Sequence, residues 1–227
     1  MAEQPFIQFE NITKTFGKKV ILDNLSLGIP YKDIFGVIGK SGSGKTTLLC
    51  ILVGFLKPDK GQVLFQSRDI NKDLQSVQQQ FGFAAQEGSF YPKLTVEENL
   101  WYFGKMYNIN SNILKEKIVE LLRLVDLEDS HDLIAWKLSS GMQKRLDIAC
   151  ALVHDPKVLI LDEPTEDLDP ALRNEVLDLL KKINREKDIT IIITSHLLDE
   201  VEYVCKEVAI LDQKKVIDSG NINELKN

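Results

Sequence analysis

The sequence predicts an α/β fold: a mainly parallel sheet, preceded by a β-rich segment and interrupted by a helical one. Three observations carry this expectation. Strand-like and helix-like segments alternate beyond residue 158, the pattern of a covered parallel sheet. The start of the chain is β-like, in segments at 6–9, 20–22 and 25–29. The stretch GKSGSGKTTLL, beginning at Gly39, lies between an apolar strand and a helix and holds glycines that weaken either element.

The elements follow in order. Residues 6–9 and 20–22 are β-like, and Leu25, Leu27 and Ile29 alternate with polar or small residues. Residues 34–38, IFGVI, alternate little, as a buried strand does, and feed directly into the glycine stretch. Residues 46–56 read as a helix, KPDKG as a turn and 62–65 as a strand. From about 87 to 150 the spacing turns helical, through Ile113, Ile118, Leu121, Leu122 and Val125, then Leu146, Ala149, Cys150 and Val153. Then come a strand at 158–161, a helix at 171–187, a strand at 189–194, a helix at 197–205 and a strand at 208–211. The expected organisation is one domain over 1–227, with 87–150 as a helical subdomain within it.

Composition bounds the function. The chain has 227 residues, 44% hydrophobic and 27% charged, as ordinary folded proteins have. A net charge of −6 without a Lys/Arg-rich block argues against nucleic acid as a partner. Cys50, Cys150 and Cys205 lack CxxC spacing and read as apolar residues in a reducing compartment. The start, MAEQPFIQFEN, lacks the basic-then-apolar pattern of a secretory leader, so none is expected. The longest apolar run, 48–56, is too short to span a bilayer, so any membrane-spanning part belongs to another chain.

The glycine stretch is a phosphate loop. Gly39-Lys40-Ser41-Gly42-Ser43-Gly44-Lys45-Thr46, followed by Thr47, fits GxxxxGK[ST]. Glycine lets the backbone curl until successive N–H groups face phosphate oxygens, and the next helix offers its positive end to the same anion. Lys45 reaches the β- and γ-phosphates, and the Thr46 hydroxyl can ligate Mg2+. The second half of the site is VLILDEP, an apolar strand ending in two acids, where ligands bind in α/β sheets. Asp162 is placed to hold Mg2+, and Glu163 to act as general base toward the attacking water. In LSSGMQKRL, Ser139 and Ser140 are good N-cap residues, a role compatible with a helix start that attracts phosphate.

With these motifs in this order, the chain resembles the nucleotide-binding subunit of an ATP-binding-cassette (ABC) transporter. LSSGMQKRL resembles the signature usually written LSGGQ. Gln86 in FAAQEG matches the Q-loop glutamine, 166–169 (Glu-Asp-Leu-Asp) the D-loop, and His196 in IIITSH the switch histidine. Phe16 matches the aromatic that stacks on adenine, with covering of the core as the lesser alternative. No NKxD run of the guanine-reading kind is present, which favours ATP.

The resemblance spans about 7–225 and implies a RecA-like P-loop NTPase core, an N-terminal antiparallel β subdomain and an inserted α-helical subdomain. It also implies a head-to-tail dimer, with a second copy or a related cassette. ATP would lie between Lys45 of one cassette and Ser139, Ser140 and Gly141 of the other, with Asp169 in the D-loop nearby. Thr46, Gln86 and Asp162 would attend Mg2+, and Glu163, His196 and Gln86 would serve hydrolysis. The motor would drive a separate transmembrane permease from the cytoplasmic face of the membrane.

Two departures qualify this. Ser140 and Met142 replace the signature's Gly and Gln; with TVEENLWYFGKMYNI after the Q-loop they resemble the ABC-2 group and favour export. Glu166 and Asp167 replace the usual Ser-Gly, adding negative charge that is expected to slow dimer closure or make it salt-sensitive. Phe90, Tyr91 and Pro92 either help accept a helix of the permease or pack within the helical segment. The alternative function is a soluble ABC-type ATPase acting in translation or on DNA. A phosphate-loop kinase is disfavoured by the signature and Glu163.

Overall fold

A computed structural model describes residues 4–225. Residues 1–3, part of the segment read for a leader, and 226–227 lie outside the described residues. Ten strands and eight α-helices follow one another along the described chain. The antiparallel sheet comes first: β1 (Ile7–Phe16), β2 (Lys19–Ile29), β4 (Lys60–Phe65) and β5 (Arg68–Asp69), in the order β2-β1-β4-β5. The segments at 20–22 and 25–29 are thus one long strand, and β4 starts inside the expected KPDKG turn.

The second sheet has six strands, ordered β10-β9-β3-β8-β7-β6. They are β3 (Ile34–Ile38), β6 (Phe81–Ala84), β7 (Val158–Leu161), β8 (Thr190–Ser195), β9 (Glu207–Asp212) and β10 (Lys215–Asn221). All neighbours pair in parallel except β10, which closes the edge antiparallel to β9. Two strands of this sheet, like the two-residue β5 of the first, are additions to the sequence reading. β6 is four residues, FGFA, too short for a period to show. β10, KVIDSGN, is polar and mostly exposed, as an edge strand can be.

The helices are α1 (Lys45–Leu52), α2 (Leu74–Gln78), α3 (Val96–Met106), α4 (Ser111–Leu124), α5 (Ser140–Leu152), α6 (Pro170–Lys187), α7 (Leu198–Val204) and α8 (Ile222–Leu225). α1 stops four residues earlier than expected, because Gly54 takes φ +75° and turns the chain. α3 is set by a full capping box between Thr95 and Glu98. α6 starts at capping Asp169 with Pro170 in its first turn and ends at Asp188 in the left-handed region.

Strand alternation divides the core in two. Ala84, Leu159, Leu161, Ile191 and Ile193 face the helices α3–α7. Val158, Ile160, Ile192, Phe35 and Val37 face α1 and the antiparallel sheet. With both faces buried, the parallel strands read as unbroken apolar runs. The parallel strands β3, β8, β7 and β6 end side by side, so the loops leaving them converge on one edge. Among the described residues no helix is long and apolar enough to cross a membrane.

Candidate functional site

That edge carries a cleft of about 600 Å³. β3 delivers the phosphate loop to it, β7 delivers Asp162 and Glu163, β8 delivers His196, and β6 delivers Gln86. The loop curls through Gly42 (φ +76°) and Gly44 (φ +110°), and Gly44 is the N-cap of α1. A side chain on Gly39 would meet Leu211 O and Ser43 Oγ at 2.5 Å. Gly39 N–H donates to Ser195 O (3.3 Å) and Ser43 N–H to Lys40 O (3.1 Å), tying the loop to β8 and to itself. The first N–H groups of α1 have no intrahelical acceptor and form the floor of an anion site.

The side chains above the loop are already coupled. Lys45 Nζ donates to Gly39 O (2.7 Å) and Lys40 O (3.3 Å) and lies 2.9 Å from Glu163 Oε1. His196 Nδ1 stands 2.7 Å from Glu163 Oε2. An ionised carboxylate only accepts, so Nδ1 carries the proton in that contact. Burial pushes the Glu163 carboxyl up, but hydrogen bonds from Lys45 and His196 outweigh it and hold it below its ordinary value. Glu163 sits at φ +50°, and its N–H donates to Thr194 Oγ1 (2.9 Å), which in turn donates to Asp162 Oδ1 (2.6 Å). Thr194 thus orients both acids from the neighbouring strand.

Gln86 is held at both ends. Lys144 Nζ, on α5, donates to its backbone carbonyl (2.9 Å), and its own side-chain amide donates to Glu166. Three residues on, Ser89 N–H donates to Asp147 Oδ1 of α5 (2.6 Å). Burial pushes Asp147 up to about 6.

The sequence-derived residues divide by place. Lys40, Ser41, Gly42, Gly44, Lys45, Thr46, Thr47, Gln86, Glu163 and His196 line the cleft. Gly39 and Ser43 lie within the loop, and Asp162 directly precedes Glu163. Phe16 lies outside the lining, half exposed at the end of β1, with Lys14 Nζ 5.4 Å from its ring centre. Ser139, Ser140, Gly141 and Asp169 do not line this cleft. Ser139 caps α5 by accepting from Met142 N–H (3.3 Å), and Asp169 caps α6 through Ala171 and Leu172 N–H. Lys19, Ile21 and Glu166 also line the cleft. Lys19 and Ile21 gave no motif signal, while the D-loop departure had singled out Glu166.

A second cavity, also about 600 Å³, opens beyond Gln86, lined by Phe55, Phe83, Ser89, Phe103, Met106 and Tyr107 among others. Phe90 packs on the helical core instead, and Tyr91 is exposed against Tyr102, ring centres 4.5 Å apart.

Comparison with known proteins gives consistent results. Residues 22–166 match the family profile described as ABC transporter. The chain is 38% identical to the linearmycin resistance ATP-binding protein of Bacillus subtilis, over 96% of this chain and 70% of that one. It is 35% identical to the bacitracin transport ATP-binding protein of Bacillus licheniformis, over 97% and 71%. It is 38% identical to a methionine import ATP-binding protein of Mannheimia succiniciproducens, over 96% and 66%. Among solved structures, cbiO1 of Clostridium perfringens, part of the ABC transporter complex cbiONQ, superposes with a TM-score of 0.91 at 29% identity, covering 99% of this chain and 91% of that one. A dimeric ATP-binding cassette in a post-hydrolysis state with ADP and Pi gives 0.83 at 27% identity, covering 95% and 98%.

Proposed function

Because the chain belongs to the ABC transporter family and is an ATP-binding, ATP-hydrolysing cassette of it, we propose that its cleft hydrolyses ATP to drive a separate membrane permease. The observation that carries this is the contact of Glu163 with both Lys45 and His196 above the phosphate loop. ATP phosphates settle on the N-terminus of α1 and draw Lys45 away from Glu163. Losing that partner raises the basicity of Glu163 as the water to be activated enters. His196, its Nδ1–H held on Glu163, has its ring fixed beside the base and lines the cleft that receives the γ-phosphate.

The cleft fits Mg2+. Among the described residues no three His, Cys, Asp or Glu side chains cluster to hold a metal alone. Thr46, Gln86 and Asp162 supply oxygen donors, which suit a hard cation that shares its shell with phosphate and water. Bound there, Mg2+ would neutralise charge on the β- and γ-phosphates.

A second copy, or a related cassette, completes each site with Ser139, Ser140 and Gly141 from the start of α5, and with its D-loop at Asp169. The dimeric relative supports this, as does the fact that these residues do not line the chain's own cleft. Phe16 stacks on adenine beside Lys19. The whole chain, 1–227, acts as one domain in which 87–150 forms the helical subdomain. The permease docks in the cavity beyond Gln86, where Phe55 and Met106 are well exposed. That places the motor peripherally, on the cytoplasmic face of the membrane.

We favour export. The relatives named for linearmycin resistance and bacitracin transport support it, together with the Ser-x-Gly-Met signature. Import is the second reading, because the methionine import protein is as similar in sequence. None of the relatives quoted is a soluble factor of translation or DNA, so that reading has no support among them. Pull-down of tagged Glu163→Gln protein from solubilised native membranes with ATP and Mg2+ tests the assignment. A multi-span membrane protein is expected. Recovery of only ribosomal or DNA-bound partners would reject it.

A further inference from the structure

We propose that Glu166 is a positioning residue for Gln86, fixing which end of the Gln86 amide faces the nucleotide. The inference rests on the reading above that Gln86 meets the cation. Both residues line the cleft with Thr46 and Lys45, and the Gln86 Nε2 group donates to Glu166 Oε2. The two ends of a side-chain amide are nearly the same size, so shape alone does not choose between them. Chemistry does. An ionised carboxylate has no proton to give and takes only the NH2 end. Glu166 therefore leaves Oε1, the end that can ligate a cation, unclaimed by their contact.

The backbone places Glu166 for this task. Glu166 N–H donates to Glu163 O (3.1 Å), and Asp167 follows at φ +62°, so the chain turns back toward the cleft three residues after the proposed base. Beyond it, Arg173 Nε donates to Leu168 O (2.8 Å) and Asp169 caps α6. These anchors do not involve the Glu166 side chain, so its removal leaves the turn in place. Lys144 fixes the Gln86 carbonyl from α5, leaving the side chain as the part still to be oriented. Glu166 acts on the cation through Gln86, as outer partners of metal ligands do.

A double-mutant cycle tests this, reading Mn2+ affinity by electron paramagnetic resonance in the presence of a non-hydrolysable ATP analogue. Glu166→Ala is expected to weaken Mn2+ about tenfold, the lower end for such partners. In the Gln86→Ala background the same substitution is expected to cost nothing further. Cation-free affinity for the analogue is expected not to fall, which reports an intact phosphate loop. An undiminished loss in the Gln86→Ala background would mean that Glu166 acts by charge alone and would overturn the inference. So would unchanged Mn2+ affinity in Glu166→Ala when Gln86→Ala weakens it. Unchanged affinity in Gln86→Ala itself would instead overturn the reading of Gln86, and the inference with it.

Discussion

Lys45 and Glu163 form a buried ion pair, Nζ to Oε1 at 2.9 Å, directly above the phosphate loop. The proposed phosphate-binding cation and the proposed base are thus each other's partners before nucleotide arrives. Removing either leaves the other buried and short of a partner, so the two substitutions are expected to differ in kind. Glu163→Gln keeps a hydrogen-bond acceptor for Lys45, retains ATP binding and lowers turnover about 100-fold or more. Lys45→Ala removes the phosphate ligand and weakens ATP binding about tenfold or more. Equilibrium binding of a fluorescent ATP analogue, beside steady-state phosphate release, separates the two.

Asp147 gives a pH-dependent expectation. Burial raises its carboxyl from the ordinary 3.8 to about 6, so the folded chain binds a proton there that the unfolded chain releases between those values. Stability therefore falls as pH rises through that window, and the cost is complete above it, up to about 3 kcal/mol. Asp147→Asn keeps an acceptor for Ser89 N–H and is expected to gain about 1–3 kcal/mol at pH 7, with no gain below pH 3.8. Urea denaturation at several pH values checks it.

His154 carries the opposite sign. Burial lowers its pKa from 6.5 to about 4, its ring stacks on Tyr107 at 3.8 Å, and Nε2 meets Phe81 O at 3.1 Å. The unfolded chain binds the proton first, so stability is complete above 6.5 and is lost as pH falls toward 4. His154→Phe keeps a ring for the stack and is expected to flatten the pH dependence between those values. Thermal unfolding across pH 4–7 reports the slope.

Gly82 marks where α5 lies against β6. A Cβ there would sit 2.2 Å from Ala151 O, a backbone atom that cannot swing aside. Gly82→Ala is expected to cost about 1–3 kcal/mol, measured by chemical denaturation.

Much of this was legible in the sequence because it is written in local patterns. The phosphate loop follows β3 and opens α1, the acids end β7, and the histidine ends β8; each is a motif at a strand terminus. What was not legible depends on contacts far apart along the chain. Thr194 orienting Asp162 and Glu163, and Lys144 gripping Gln86, link residues separated by 31 to 58 positions. β6 escaped because its four residues are held by pairing with β7, which no local period reports. Asp169, singled out for its motif, also has a structural duty at the start of α6 that its position before Pro170 encodes.

The most direct measurement is light scattering on purified Glu163→Gln protein, with and without ATP and Mg2+. If two cassettes close on ATP and Glu163 alone lets them reopen through hydrolysis, the variant's mass doubles when ATP is added, and Ser139→Arg at the start of α5 abolishes the doubling. A variant that stays monomeric while saturated with ATP, or that hydrolyses ATP at the parent rate, would contradict the account.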